Sequence, residues 1–333
     1  MTIGLTNYCN HKCPWCYINW AQAGKTKPGQ EAVIKGLNAD WRIIEAVGEA
    51  KAIGLKAVTI VGDGEPLLHP RIGEILAALG LMELDIGIFS NLSKASQETL
   101  AALVQHCFFI RASIDAATAD IHRKTHGSDD FDIVIGNLRR LVAIRGERRP
   151  PAIGVQFVTN QWNFHQLAEA AELFRGLGVD YLSIKPAYKN VLSASHPKNE
   201  INNAEVFRLM KQAEGFSTAA FKVYAKYPQF SEVVEHATND ARHYRKCLAT
   251  PLSPYLDEDG TVEMCGNLKG RGFALGNVND LSFAQIWASP RRKECLSRID
   301  LFKCPAGCRL HPLNRELWDA FNPDRMRRHP NFV

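Results

Sequence analysis

The stretch NYCNHKCPWCY, residues 7–17, places Cys9, Cys13 and Cys16 on one short segment directly after the apolar run TIGLT at residues 2–6. Cysteines this dense are read as metal or cluster ligands in a reducing cytosol, because a disulfide framework needs an oxidising compartment. The 333-residue chain has nine cysteines, and the odd number argues the same way. A structural zinc takes four ligands, and His11 is the only nearby candidate for the fourth. A 4Fe-4S cluster held by three cysteines instead leaves one iron free for an exogenous ligand. On that reading the missing fourth ligand is the cofactor or substrate itself.

Outward from this segment, short β-branched or apolar runs alternate with longer amphipathic ones, the pattern of strands joined by crossover helices. The predicted strands are TIGLT, AVTIVG, LDIGIFS, FFIRASID, AIGVQFV and DYLSIKP, and several of the intervening helices end at Gly. Six such units fit an open doubly wound sheet or an incomplete α/β barrel, and in both the chemistry gathers at the carboxyl ends of the strands. The polar stretch AYKNVLSASHPKNEINN, residues 187–203, reads as a long loop at that end. Past about residue 241 the texture becomes short segments punctuated by Gly, Pro and Cys. A hairpin is expected at YLDEDGTVEMC, with Asp259-Gly260 as its turn.

The formal net charge of +5 is spread over many segments, so no nucleic-acid-binding stripe is expected. No apolar run reaches the roughly 20 residues of a membrane span, and the N-terminus lacks a signal-peptide pattern. A cytoplasmic protein is expected, with no membrane and no nucleic-acid partner.

The C-x3-C-x2-C spacing with an aromatic residue, Trp15, before the third cysteine resembles the signature of the radical S-adenosylmethionine (SAM) superfamily. GDGEPLLHP, residues 62–70, is similar to the superfamily segment whose backbone receives the SAM amino group, with Gly64 and Glu65 at the matching positions and Asp63 interrupting the usual Gly-Gly pair. IFSN, residues 88–91, and RASIDAATADIHRKTHG, residues 111–127, resemble the segments lining the SAM ribose and carboxylate. The resemblance therefore implies cofactor-binding roles for Asn91, Ser113 and Arg123, and for Gln156 on the fifth strand. It implies a partial (β/α)6 TIM-like barrel over residues 1–190, then a substrate loop and helical connector over 191–244.

Five further cysteines lie between Cys247 and Cys308. Cys247, Cys265, Cys304 and Cys308 can wrap a tetrahedral zinc or a second iron–sulfur cluster, and spacing alone does not choose. Their layout resembles twitch, the shortened form of the SPASM domain, which implies a small Cys-rich α+β domain over 245–333 with an auxiliary 4Fe-4S cluster. Cys107 reads as a buried structural thiol. Cys295, on the basic segment SPRRKECLSRI, reads as inert, as a ligand, or as a hydrogen-atom donor.

Two 4Fe-4S clusters and SAM are the cofactors so implied, with flavodoxin or ferredoxin as external reductant. The resemblance implies that the reduced first cluster cleaves SAM and that a 5′-deoxyadenosyl radical takes a hydrogen atom from an unactivated C–H bond. Lys185, Asp115 or a histidine would remove a proton in an oxidation, and a thiol such as Cys295 would return a hydrogen in an epimerisation. Twitch enzymes include a dehydrogenase of 2-deoxy-scyllo-inosamine and epimerases of aminoglycosides, so the expected substrate is a polyhydroxylated small molecule, phosphorylated or cationic. The alternatives are modification of a ribosomal peptide and, in another class, a two-cluster electron-transfer protein. GDGEP speaks against the latter, since an electron carrier needs no SAM pocket.

Overall fold

The computed structural model describes residues 1–16, 37–187, 201–234, 242–305 and 307–321. Six apolar runs become the parallel strands β1 (Thr2–Ile3), β2 (Ala57–Ile60), β3 (Asp85–Ser90), β4 (Phe109–Ser113), β5 (Ala152–Thr159) and β6 (Tyr181–Pro186), paired in chain order. The amphipathic runs become α1 (Leu37–Ala52), α2 (Ile72–Leu81), α3 (Gln97–His106), α4 (Ala119–His126), α5 (Phe131–Arg145) and α6 (Leu167–Gly176). Local chemistry sets their ends. Ser96 caps α3 by accepting from Thr99 N–H, and α4 stops at Gly127, whose φ of +60° is left-handed.

Strand periodicity separates the two faces of the sheet. Ile86, Ile88, Ile110, Ala112, Ile153, Val155, Phe157, Leu182 and Ile184 are fully buried against the helices. The alternate residues Phe89, Arg111, Ser113, Gln156, Val158, Tyr181 and Lys185 are half-buried and line the concave face.

The connector holds α7 (Asn203–Glu214) and α8 (Tyr227–Val234) and a strand the sequence reading passed over, β7 (Lys222–Ala225), which pairs parallel to β6. Its pattern is short and half-exposed, too brief to stand out from its surroundings. Most of the expected loop at 187–203 lies outside the described residues.

The expected hairpin forms from β8 (Tyr255–Leu256) and β9 (Thr261–Glu263), turning at Gly260 with φ +85°, and β10 (Ala274–Asn277) adds antiparallel to β9. It does not stand apart, because β8 pairs in parallel with β1. The described residues thus form one ten-stranded sheet in the order β10-β9-β8-β1-β2-β3-β4-β5-β6-β7. Leu256, Val262, Met264, Phe283 and Ile286 join the barrel's own hydrophobic core. Because β1 to β7 are mutually parallel and β8 runs with β1, the loops after their carboxyl ends gather at one rim. No helix among the described residues is long and apolar enough to cross a membrane.

Candidate cluster and cofactor site

The first cysteine segment leaves the carboxyl end of β1 and is laced to the loop after β2. Glu65 N–H donates to Tyr8 O at 2.8 Å, and a Cβ on Gly64 would lie 2.2 Å from that same oxygen, so only glycine allows this approach. Glu65 is buried and spends its carboxylate inside the protein. One oxygen accepts from Leu67 N–H at 3.0 Å and Ser90 hydroxyl at 2.6 Å, the other from Asn91 N–H at 2.7 Å. Asn91 then donates to Asn10 Oδ1 at 3.1 Å, and Asn10 donates to Ser93 Oγ at 2.7 Å. The loops after β1, β2 and β3 are therefore one hydrogen-bonded unit. Glu65→Gln should turn an amide N–H toward Asn91 N–H and leave a buried donor unpaired, costing about 2–3 kcal/mol; urea unfolding together with SAM affinity checks this.

Cys9, Cys13 and Cys16 are half-buried and free of disulfides. Burial, then the charge of Glu65, pushes the Cys9 thiol up to about 12, and Cys13 is raised well above its usual range by burial and by Cys16 and Cys9. Thiolates crowded this way need a bound cation or cluster to ionise together, so the donor set suits an iron–sulfur group. Trp15 is buried and meets Trp162 edge-on at 6.0 Å between centroids.

Behind the cysteines lies a group that the sequence reading missed. His11, His122 and His126 are buried, and the His122 and His126 rings stack at 4.5 Å. His126 Nε2 accepts the Asp115 backbone N–H at 3.0 Å. The proton of a neutral ring must then sit on Nδ1, which lies 3.4 Å from Cys13 Sγ and donates to it. Burial, then the neighbouring histidines, keeps His126 well below the ordinary histidine range, consistent with the neutral form. Asp130 joins His11 and His122 through bonds of 2.9 and 3.0 Å. Burial pushes that carboxyl up, but the two histidines more than offset it and hold it at about 2. The spacing His122-x3-His126, which puts both rings on one helix face, was the available signal.

Ser113, Gln156 and Ser183 are register partners across β4, β5 and β6 and form a polar row on the concave side. Asp115, just past β4, accepts from Val158 N–H at 2.7 Å. Burial pushes its carboxyl up to about 7, with Val158 N–H and Lys185 opposing. Burial likewise brings Lys185 down to about 8; Asp115 opposes that fall, and Arg111 and Arg309 add to it.

Two assigned residues fall elsewhere. Arg123 is on the exposed side of α4, tied to Asp120 and Asp129, because the buried face of that helix is taken by His122, Thr125 and His126. Cys295, on the helix Pro290–Ser297, is fully buried in the hydrophobic core. Burial raises its thiol, keeping it protonated within that packing. Cys107 is core as expected.

Cys247, Cys265 and Cys308 gather in a second apolar cluster with Ala249, Leu268 and Leu310, and Cys304 lies close enough to feel the charges of Cys308 and Cys247. Burial, then the charges of Cys308 and, less directly, Cys247, pushes Cys304 up to about 11. Asn267 donates to Cys308 Sγ at 3.3 Å, and Arg242 braces the CPAGC loop through Leu301 and Pro305 carbonyls at 3.1 and 2.8 Å. The helix His311–Phe321 supplies buried Asn314, which accepts from Leu248 and Ala249 N–H and so pins the Cys247 turn. This helix thus has a structural part in the lobe, and residues 322–333 lie outside those described. Four thiols gathered this way can hold an iron–sulfur cluster or a tetrahedral zinc. Lys269 ties this lobe to the barrel by pairing with both Asp63 of GDGEP and Asp257 after β8.

A parallel partial barrel with three cysteines at its rim and four in an attached lobe defines a two-cluster radical enzyme scaffold. Comparison with known families bears this out: the Radical SAM superfamily pattern matches residues 3–147, and the SPASM iron-sulfur cluster-binding domain matches residues 247–310. The chain carries a Radical SAM domain and, at its C-terminal end, a SPASM domain, a pairing that implies a SAM-binding and an auxiliary 4Fe-4S cluster. It is similar to the tungsten-containing aldehyde ferredoxin oxidoreductase cofactor-modifying protein of Pyrococcus furiosus, 22% identical over 86% of this chain and 80% of that one. It is 22% identical to the antilisterial bacteriocin subtilosin biosynthesis protein AlbA of Bacillus subtilis over 87% of this chain and 59% of that one. Among solved structures it resembles Streptococcus suis SuiB bound to its precursor peptide SuiA, with a TM-score of 0.68 at 16% identity, covering 89% of this chain and 66% of that one.

Proposed function

We propose that this radical SAM enzyme modifies a peptide by abstracting a hydrogen atom from one of its residues. The observation that carries the reading is the open sheet: among the described residues its edge strands β7 and β10 do not pair with each other, so strands do not close the concave face on that side. An extended chain can enter that way. The similarity to AlbA and to SuiB with its precursor peptide supports a peptide over the polyhydroxylated small molecule expected from sequence.

The clusters and SAM, when bound, supply reductive cleavage to a 5′-deoxyadenosyl radical and a route for electrons. Cys9, Cys13 and Cys16 would hold the first cluster, and Cys247, Cys265, Cys304 and Cys308 the second. The protein's own groups orient and exclude water. The network from Glu65 through Asn91 to Asn10 fixes the rim, and Trp15 with Trp162 covers part of it. Asp115, whose carboxyl titrates near neutrality, can accept the proton that an oxidation releases. A flavodoxin- or ferredoxin-type protein would bring the electrons.

Anaerobically reconstituted enzyme should be incubated with SAM, dithionite and either a peptide pool or a pool of sugars and aminocyclitols. The expected result is 5′-deoxyadenosine formation stimulated by peptides, with a mass change on the peptide. Stimulation by the sugar pool alone would return the small-molecule reading to first place.

A further inference from the structure

Helix α4 docks on the first cysteine segment twice. Lys12 N–H donates to His126 O at 2.9 Å, and the His126 ring meets Cys13 Sγ at 3.4 Å through Nδ1. Gly127 lets the two backbones come together, since a Cβ there would lie 2.8 Å from Lys12 O. The surroundings of the ring decide which nitrogen carries its proton. Nε2 accepts Asp115 N–H at 3.0 Å, and Asp115 Oδ2, at 3.7 Å from the same nitrogen, is too far to take a proton from it. Nδ1 is therefore the donor. Cys13 as a ligand has no proton of its own and can only accept.

The ring is clamped in this position. It is buried, stacks on His122 at 4.5 Å and 24°, and meets His11 edge-on at 5.3 Å. Those two rings are themselves held through Nε2 on the two oxygens of Asp130, at 3.0 and 2.9 Å. Phenylalanine would fill the same space and avoid the buried Nδ1 atoms of His11 and His122, which have no partner among the described residues. What the histidines add is the Nε2 grip on Asp130 and the Nδ1–H at Cys13.

Hydrogen bonds to cysteine sulfurs help set the reduction potential of an iron–sulfur cluster, because a donor favours the more negative, reduced state. We infer that His126 is a positioning residue for electron entry: its fixed Nδ1–H, given to Cys13 Sγ, raises the reduction potential of the first cluster. One electron passes from the flavodoxin- or ferredoxin-type donor to the cluster, and the Nδ1 proton stays on the ring. The inference rests on Cys13 as a ligand of that cluster. It goes beyond the peptide reading, since it holds whichever substrate is modified.

The test poises reconstituted holoenzyme over a range of potentials and follows it by EPR with and without SAM. Only the first cluster has an iron free for SAM, so the signal that SAM alters belongs to it. His126→Phe keeps an aromatic ring but no donor. At a fixed potential its ratio of reduced to oxidised first cluster should fall at least tenfold, a shift of about 59 mV for one electron. His126→Asn puts an amide N–H near the place of Nδ1 and should recover most of that shift, while the signal that SAM leaves unaltered keeps its native potential in both variants. Pulsed EPR of the native enzyme should also show an imidazole nitrogen coupled to the SAM-sensitive signal, assigned by isotope labelling of the histidine rings. That measurement decides the matter where His126→Phe takes up no cluster. Absence of the coupling overturns the proposal, as does an unshifted potential in His126→Phe or a shift that His126→Asn does not reduce. A native enzyme with no SAM-altered signal would remove the ligand assignment and the inference with it. A SAM-altered signal with an unshifted potential would remove only the part played by His126.

Discussion

Replacing Cys9, Cys13 and Cys16 together by alanine should abolish 5′-deoxyadenosine formation while the protein retains about four irons per chain, those of one 4Fe-4S cluster. The two cysteine sets are separate in space and in packing. The first is built on the loop after β1 and braced by Asn10, Glu65 and His126, and the second surrounds its own apolar cluster with Leu268 and Leu310. Removing one therefore leaves the other's ligands and neighbours in place. The activity loss should reach the detection limit, because all three thiolates of the first set are removed at once. Iron and sulfide analysis after anaerobic reconstitution, with SAM cleavage measured on the same samples, makes the comparison. A variant without iron would mean that the C-terminal cysteines hold no iron–sulfur cluster, and the auxiliary role would fall with it.

The second large effect concerns a residue with no side chain. Gly64→Ala places a methyl carbon 2.2, 2.6 and 2.7 Å from Tyr8 O, Tyr8 N and Thr6 O, all backbone atoms that cannot rotate aside. The loop after β2 must then separate from the cysteine segment, losing the Glu65 N–H to Tyr8 O bond and shifting Cys9. Overpacking of this kind costs about 1–3 kcal/mol. The functional cost should be larger, at least tenfold in SAM cleavage, because small misplacements at a reacting centre are amplified. Gly73→Ala on α2, where nothing lies within 4 Å of the added carbon, is the matched control and should be neutral or slightly stabilising. Equal behaviour of the two variants in urea unfolding and turnover would show that the close approach at Gly64 does not position the cluster loop.

Much of the scaffold was legible in the chain because the relevant signals are local. Runs such as LDIGIFS and AIGVQFV carry their strand character in a few residues, and a cysteine triplet within eight positions declares its ligand chemistry without any folding. The same holds for Asp259-Gly260 as a turn. Two side-chain placements needed the fold. Arg123 matched a motif position, yet α4 turns it to solvent because burying His122, Thr125 and His126 uses the other face. Cys295 sits on a basic segment, and that exposed character concealed a single inward position.

By itself, then, the sequence determined the alternation of strands and helices, the two sets of ligand cysteines and the glycine-acid loop after β2, since each depends on side-chain type over a few neighbouring positions. Only the tertiary structure decided that β8 pairs with β1 and that Lys269 bridges to Asp63. Those partners are far apart in the chain, Lys269 and Asp63 by 206 residues and Arg309 and its acceptor Thr2 by 307. Hydrogen bonding and charge act through space, and until the chain closes nothing in the order of residues says which distant groups will meet.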